Sequence, residues 1–135
     1  MTSGDTVYLV DDEPELTRAL ARLLQAEGLA VRPFNSAADF LATVAPEDTG
    51  CVVLDLAMPG LDGLALQQRL AHLPGLAVVF LTGHGDIPTS VRAIKAGAVD
   101  FLTKPVRRDD LMRAVRASLG VARVQAAVMR ADADA

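Results

Sequence analysis

The feature that most constrains the fold is a five-fold alternation. Short apolar runs, "VYLV" (7–10), "LAVRPF" (29–34), "CVVLDL" (51–56), "AVVFLT" (77–82) and "VDFLT" (99–103), alternate with segments of helical periodicity. Three of the runs are nearly continuous in Val, Leu and Phe, the pattern of strands covered on both faces. "LAVRPF" carries Arg32 and Pro33, and a proline gives a ladder no donor, so it reads as an edge strand. Between the runs, Leu16, Leu20, Leu23 and Leu24 recur at helical spacing between Pro14 and Gly28. Ser36 is placed to cap a helix carrying Phe40, Leu41 and Val44. Leu66, Leu70 and Leu73 share one face of a third helix that ends at Pro74-Gly75. Pro88 suits the first turn of a fourth helix carrying Val91 and Ile94, stopped at Gly97; Asp109 and Asp110 open a fifth with Leu111, Val115 and Leu119. Five (βα) units predict an α/β fold: a doubly wound parallel sheet with right-handed crossovers and helices on both faces.

Composition narrows the function classes. A chain of 135 residues suits one domain with a single full core. No apolar run is long enough to cross a bilayer, and "MTSGDT" has no basic region followed by an apolar stretch, so neither a membrane partner nor a secretory signal is expected. Cys51, the only cysteine, excludes an internal disulfide and fits a reducing cytoplasm. A formal charge of −4 and the absence of Trp argue against direct nucleic-acid contact.

Parallel α/β sheets bind ligands outside the carboxyl ends of their strands, so those ends carry the information. The first strand runs into Asp11 and Asp12, the third ends at Asp55, the fourth at Thr82, and the fifth at Lys104-Pro105. No glycine-rich phosphate loop accompanies them. Crowded carboxylates repel one another and call for a cation. Three of them make a hard-oxygen site suited to Mg²⁺, and an ammonium beside them adds a second positive charge. Such a site suits receipt of a phosphoryl group on a carboxylate oxygen. Each residue also has a plainer reading. Asp11 and Asp12 suit a helix N-terminus, Thr82 an ordinary strand end, Lys104 the surface and Phe101 the core.

The stretches "LVDDEP", "VVLDLAMPGLDG", "FLTGHGD" and "AIKAGAVDFLTKP", each at a strand end and in this order, resemble the receiver domain of two-component response regulators over roughly residues 6–120. The wording "TGHGDIPTSVRAIKAGAVDFLTKP" is most similar to receivers of the FixJ/NarL type, and similar wording occurs in receivers of the NtrC type. The resemblance implies a flavodoxin-like fold with strand order 2-1-3-4-5. It implies Asp55 as phospho-acceptor, exposed by the turn at Met58-Pro59-Gly60. Mg²⁺ would be bound by Asp12 directly, Asp11 through water, Asp55, and the backbone carbonyl of Ala57. Lys104 would pair with phosphoryl oxygens, held by a cis peptide to Pro105. Thr82 would hydrogen-bond the phosphoryl group, and Phe101 would fill the aromatic switch position, often Tyr in the family. The implied partners are a sensor histidine kinase, a second copy of the chain through the face of the fourth helix, fifth strand and fifth helix, and a DNA-binding output domain. The implied role is a switch and not an enzyme.

The division expected is a receiver over 1–120 and a helical extension or linker over 121–135, with a frayed "ADADA" end. Val121, Val124 and Val128 lie on one side of that extension, and Arg107, Arg108, Arg113, Arg116, Arg123 and Arg130 make the C-terminal helix basic. Cys51 reads as a buried small hydrophobe, His84 as structural or surface, and His72 as solvated. The alternatives are a stand-alone receiver, a haloacid-dehalogenase-like aspartyl phosphatase and a flavodoxin-like mononucleotide module. The phosphatase pattern Asp-x-Asp meets Ala57 where its general acid should stand, and the acidic "DDEP" would repel a nucleotide phosphate.

Overall fold

A computed structural model of the chain describes residues 6–56, 63–83 and 97–134. Five parallel strands, β1 (Thr6–Val10), β2 (Ala30–Phe34), β3 (Gly50–Asp55), β4 (Leu76–Thr82) and β5 (Asp100–Thr103), form one sheet in the order β2-β1-β3-β4-β5. Helices α1 (Pro14–Ala26), α2 (Ala37–Thr43), α3 (Gly63–Leu70) and a C-terminal helix (Arg108–Asp134) flank it. The fourth expected helix, with Pro88, Val91 and Ile94, lies outside the described residues, as do Ala57, Met58, Pro59, Gly60 and His84.

The two-residue period of the strands sorts side chains onto two faces. Val7, Leu9, Cys51, Val53, Val79, Leu81 and Leu102 pack under α1 and the C-terminal helix. Tyr8, Val10, Val52, Leu54, Val78 and Phe80 pack with Phe40 of α2 and Leu66 and Leu70 of α3. Every residue of β3 and β4 is buried, which accounts for their unbroken apolar sequence. Cys51 is buried with them, and that burial pushes its thiol up to about 12.

β2 is an edge strand, as Arg32 and Pro33 lead one to expect. The Asp11 N–H donates to the Phe34 carbonyl at 3.1 Å, so Phe34 turns its backbone groups toward β1. Those groups alternate along a parallel strand, which places the missing N–H of Pro33 on the outer side. Arg32 lies over the Tyr8 and Phe34 rings at 5.7 and 5.8 Å.

Local signals set most helix ends. Pro14 occupies the first turn of α1, and the Ser36 hydroxyl accepts from the Asp39 N–H at 3.1 Å to cap α2. Two expectations shift. α2 stops at Thr43, leaving Val44 extended just beyond it. α3 stops at Leu70, and Leu73 continues only as a turn, its N–H donating to the Leu70 carbonyl at 2.8 Å; it still packs on the α2/α3 cluster. Among the described residues, no helix is long and apolar enough to cross a membrane.

Gly50 opens β3 with φ +152°, and a Cβ there would meet the Thr6 carbonyl oxygen at 2.2 Å. Gly50→Ala is expected to cost about 2 kcal/mol or more, from backbone strain and forced separation of β1 and β3. Urea unfolding should show a lower midpoint at unchanged m-value.

Candidate phosphoryl-acceptor site

Register and pleat assemble the site. Val10 pairs with Leu54, so the residues that follow, Asp11 and Asp55, stand abreast at the ends of adjacent strands. Counting by twos from Val7 and Leu9, and from Cys51 and Val53, puts both on the same face of the sheet. Leu102 lies on that face too, and Lys104 continues its parity past the end of β5. The Lys104 N–H donates to the Thr82 carbonyl at 2.8 Å, which fixes the lysine backbone against β4. The Lys104–Pro105 peptide is cis.

Lys104 Nζ sits among carboxylates. It lies 3.1 Å from Asp55 Oδ2, 3.0 Å from Glu13 Oε1 and 3.4 Å from Asp11 Oδ2. Asp11 and Asp55 are 2% and 1% exposed, whereas Asp12 and Glu13 face solvent. Carboxylate oxygens of Asp11, Asp12, Glu13 and Asp55 all fall within 4.8 Å of one another. Asp11 Oδ1 accepts the Glu13 N–H at 2.9 Å, but Asp11 Oδ2 is buried without a hydrogen-bond donor.

The electrostatics follow from that crowding. Burial raises the Asp11 carboxyl above its ordinary value and the Asp55 charge adds to the rise; the Glu13 N–H and the Lys104 charge only partly oppose it. Burial alone pulls the Lys104 ammonium down, but hydrogen bonds to Glu13 and Asp55 and the charges of Asp55 and Asp11 more than reverse this and raise it. A buried oxygen without a donor, inside a cluster of hard oxygens and with solvent on the Asp12 side, fits a divalent cation that keeps part of its water shell. Asp11, Asp12 and Asp55 are the residues that would hold it.

The structure therefore brings Asp11, Asp12, Asp55 and Lys104 together. Thr82 is buried at the end of β4. Phe101, in register with Phe80, is half-buried against the α2/α3 cluster. Glu13 is the residue that sequence reasoning did not place in the site. It is the N-cap of α1, yet its side chain caps nothing and reaches Lys104 instead. Its position directly after the acidic pair was the available signal.

Lys104 is the counter-charge that makes two buried carboxylates tolerable. Lys104→Ala is expected to destabilise the metal-free protein by about 2 kcal/mol, a buried-pair penalty reduced for partial exposure. Because the folded pKa of Asp11 lies above its unfolded value, acidification through that range protonates the folded state first and favours folding. The penalty should shrink as pH falls, and added Mg²⁺ should offset it at neutral pH. Urea titrations of both proteins with EDTA or Mg²⁺ test all three.

Residues 7–116 match the family model described as "Response regulator receiver domain". The Response regulator protein TmoT of Ectopseudomonas mendocina is 46% identical over 117 residues, 86% of this chain and 53% of the relative. The Transcriptional regulatory protein FixJ of Azorhizobium caulinodans is 48% identical over 115 residues, 84% of this chain and 54% of the relative. The chain thus spans about half the length of these curated relatives. The solved structure of the response regulator StyR superposes with TM-score 0.87 at 39% identity, covering 96% of this chain and 66% of that one. An acidic pocket at the carboxyl ends of a 2-1-3-4-5 parallel sheet, together with these matches, makes the chain a member of the response regulator receiver domain family of two-component systems.

Proposed function

We propose that this receiver is switched by phosphorylation of Asp55, with a sensor histidine kinase as donor and Mg²⁺ as cofactor. The observation that carries the reading is the 3.1 Å contact of Lys104 Nζ with Asp55 Oδ2, inside a pocket whose other carboxylates are Asp11 and Asp12. Asp12, Asp55 and the carbonyl of Ala57, with Asp11 through water, would hold the metal. Mg²⁺, when bound, neutralises charge on the transferring phosphoryl oxygens.

An Asp55 oxygen forms the bond to phosphorus as the bond from phosphorus to the kinase's histidine nitrogen breaks, and the electron pair leaves with the imidazole. Lys104 already pairs with Asp55 and shifts to the oxygens of the new phosphoryl group. That group adds about two negative charges to the pocket. The Thr82 hydroxyl donates to it, and Phe101 moves into the space that Thr82 and the following loop vacate. Phe101 has no hydroxyl, so its contribution is packing alone. The changed face, made by residues 88–97, β5 and the C-terminal helix, pairs with a second copy. The protein accepts a phosphoryl group and passes on a change of shape; it does not turn over a substrate. The working unit is a receiver over 1–120 with a helical extension over 121–135. The relative named as a transcriptional regulatory protein supports a transcriptional output; a DNA-binding output domain and a cytoplasmic location complete the reading.

With Mg²⁺ and acetyl phosphate, intact-mass measurement should show one phosphoryl group gained by the wild type and none by Asp55→Asn. Turnover of many phosphoesters without a lasting adduct would favour a phosphatase instead. Asp12→Ala removes a charged metal ligand and should weaken Mg²⁺ binding by more than about tenfold. Isothermal titration measures it, and unchanged affinity would contradict the assigned site.

A further inference from the structure

A second cleft opens at the other pole of the domain, by the amino ends of β3 and β4. Its volume is about 300 Å³. One wall is the segment before β3, with Pro46, Glu47 and Thr49; another is the C-terminal helix, with Ala126, Met129 and Arg130. The walls are held in place without a ligand. The Ala45 N–H donates to Asp48 Oδ2 at 2.8 Å and the Asp48 N–H to the Ala45 carbonyl at 3.0 Å, which closes the turn that carries Pro46 and Glu47. Ala122 and Ala126 are buried and fix the helix against the domain. A cleft formed beforehand spares a ligand the cost of ordering it.

Pro46, Ala126 and Met129 give the cleft an apolar lining. Thr49 is buried, and its Oγ1 has no hydrogen-bond partner. No bond holds that hydroxyl in its present rotamer, so rotation about χ1 can turn it to the cleft. A buried hydroxyl without a partner is costly, and a polar group entering the cleft relieves that cost. Glu47 and Arg130 are exposed on different walls. Among the described residues neither has an ion-pair partner, and they do not pair with each other. Two opposite charges that line one small cleft without meeting suit a ligand that carries both.

We infer that this cleft binds a free α-amino acid with an apolar side chain. The Arg130 guanidinium takes the carboxylate, a pairing its planar fork suits, and Glu47 takes the ammonium. The Thr49 hydroxyl donates to the carboxylate and so gains the partner it lacks. The ligand's side chain lies on Pro46, Ala126 and Met129. A simple anion would meet repulsion from Glu47 and a simple cation from Arg130, so the pair selects a zwitterion. A peptide carries only one of the two charges at either end. A volume of about 300 Å³ is at the small end for ligand sites, right for an amino acid and too small for a nucleotide. The walls come from distant parts of the chain, so an occupant clamps the last turns of the C-terminal helix to the domain. The site needs neither Asp55 nor a phosphodonor.

Isothermal titration of the whole chain with L-leucine, N-acetyl-L-leucine and L-leucine amide tests the assignment. L-leucine should bind one to one, with a dissociation constant below about 10 mM. Each derivative lacks one charge and should bind about tenfold more weakly or worse, as loss of a charge-assisted contact implies. Glu47→Gln and Arg130→Gln alter exposed side chains, and circular dichroism verifies their fold. Each should weaken L-leucine binding by a similar factor, and in Glu47→Gln the penalty for N-acetylation should disappear. Thr49→Val should also weaken binding while leaving the urea midpoint of the free protein unchanged or higher, because the lost hydroxyl had no partner. No L-leucine binding, equal binding of all three probes, or binding indifferent to both Glu47→Gln and Arg130→Gln would each overturn the proposal. Asp55→Asn should bind L-leucine like the wild type, so failure of acetyl phosphate labelling would sink the phosphorylation reading and leave this one standing.

Discussion

Everything at the site depends on how negative charge is tolerated at the end of a buried sheet. Asp11 and Asp55 are almost fully covered and stand on neighbouring strands. Burial weakens solvent screening of them, and Asp11 Oδ2 makes no hydrogen bond, only the longer ion pair with Lys104. The Lys104 ammonium, shared among Asp55, Glu13 and Asp11, is the compensation that the chain supplies from itself. A lysine is suited to this because its charge is compact and its stem long, so it follows whichever oxygens are most negative. The resting site is thus held by an attraction that can be redirected without rebuilding the fold.

The sheet makes that arrangement rigid. β3 and β4 are buried along their whole length, and Asp55 and Thr82 are their last residues. Asp55 and Thr82 thus project from the most completely buried strands of the sheet. Phe101 sits on β5, only half-covered, next to the well-packed Phe80. On the proposed reading, the buried groups sense charge and half-buried Phe101 is the neighbour that moves.

Much of this was legible in the sequence. Period and length distinguished strands from helices because β3 and β4 are covered on both faces, and Arg32 and Pro33 identified the edge. Asp11, Asp12, Asp55 and Lys104 were recognisable because a charge that terminates an apolar run needs a reason. The end of α2 was misjudged by one residue and that of α3 by three, since Val44 and Leu73 contribute to the core from outside the helices. Glu13 was missed for a different reason. Its partner is 91 residues away, and nothing local reports that an N-cap side chain has turned aside to meet a lysine. Periodicity reads faces well; it does not read which of several acids a distant cation selects.

The edge strand carries one more consequence. An incoming strand that tried to extend the sheet beyond β2 would find no donor at Pro33. The missing donor makes that margin a poorer template for strand addition than an ordinary edge. The opposite edge, β5, lacks this protection and is the margin where a partner could meet strand backbone.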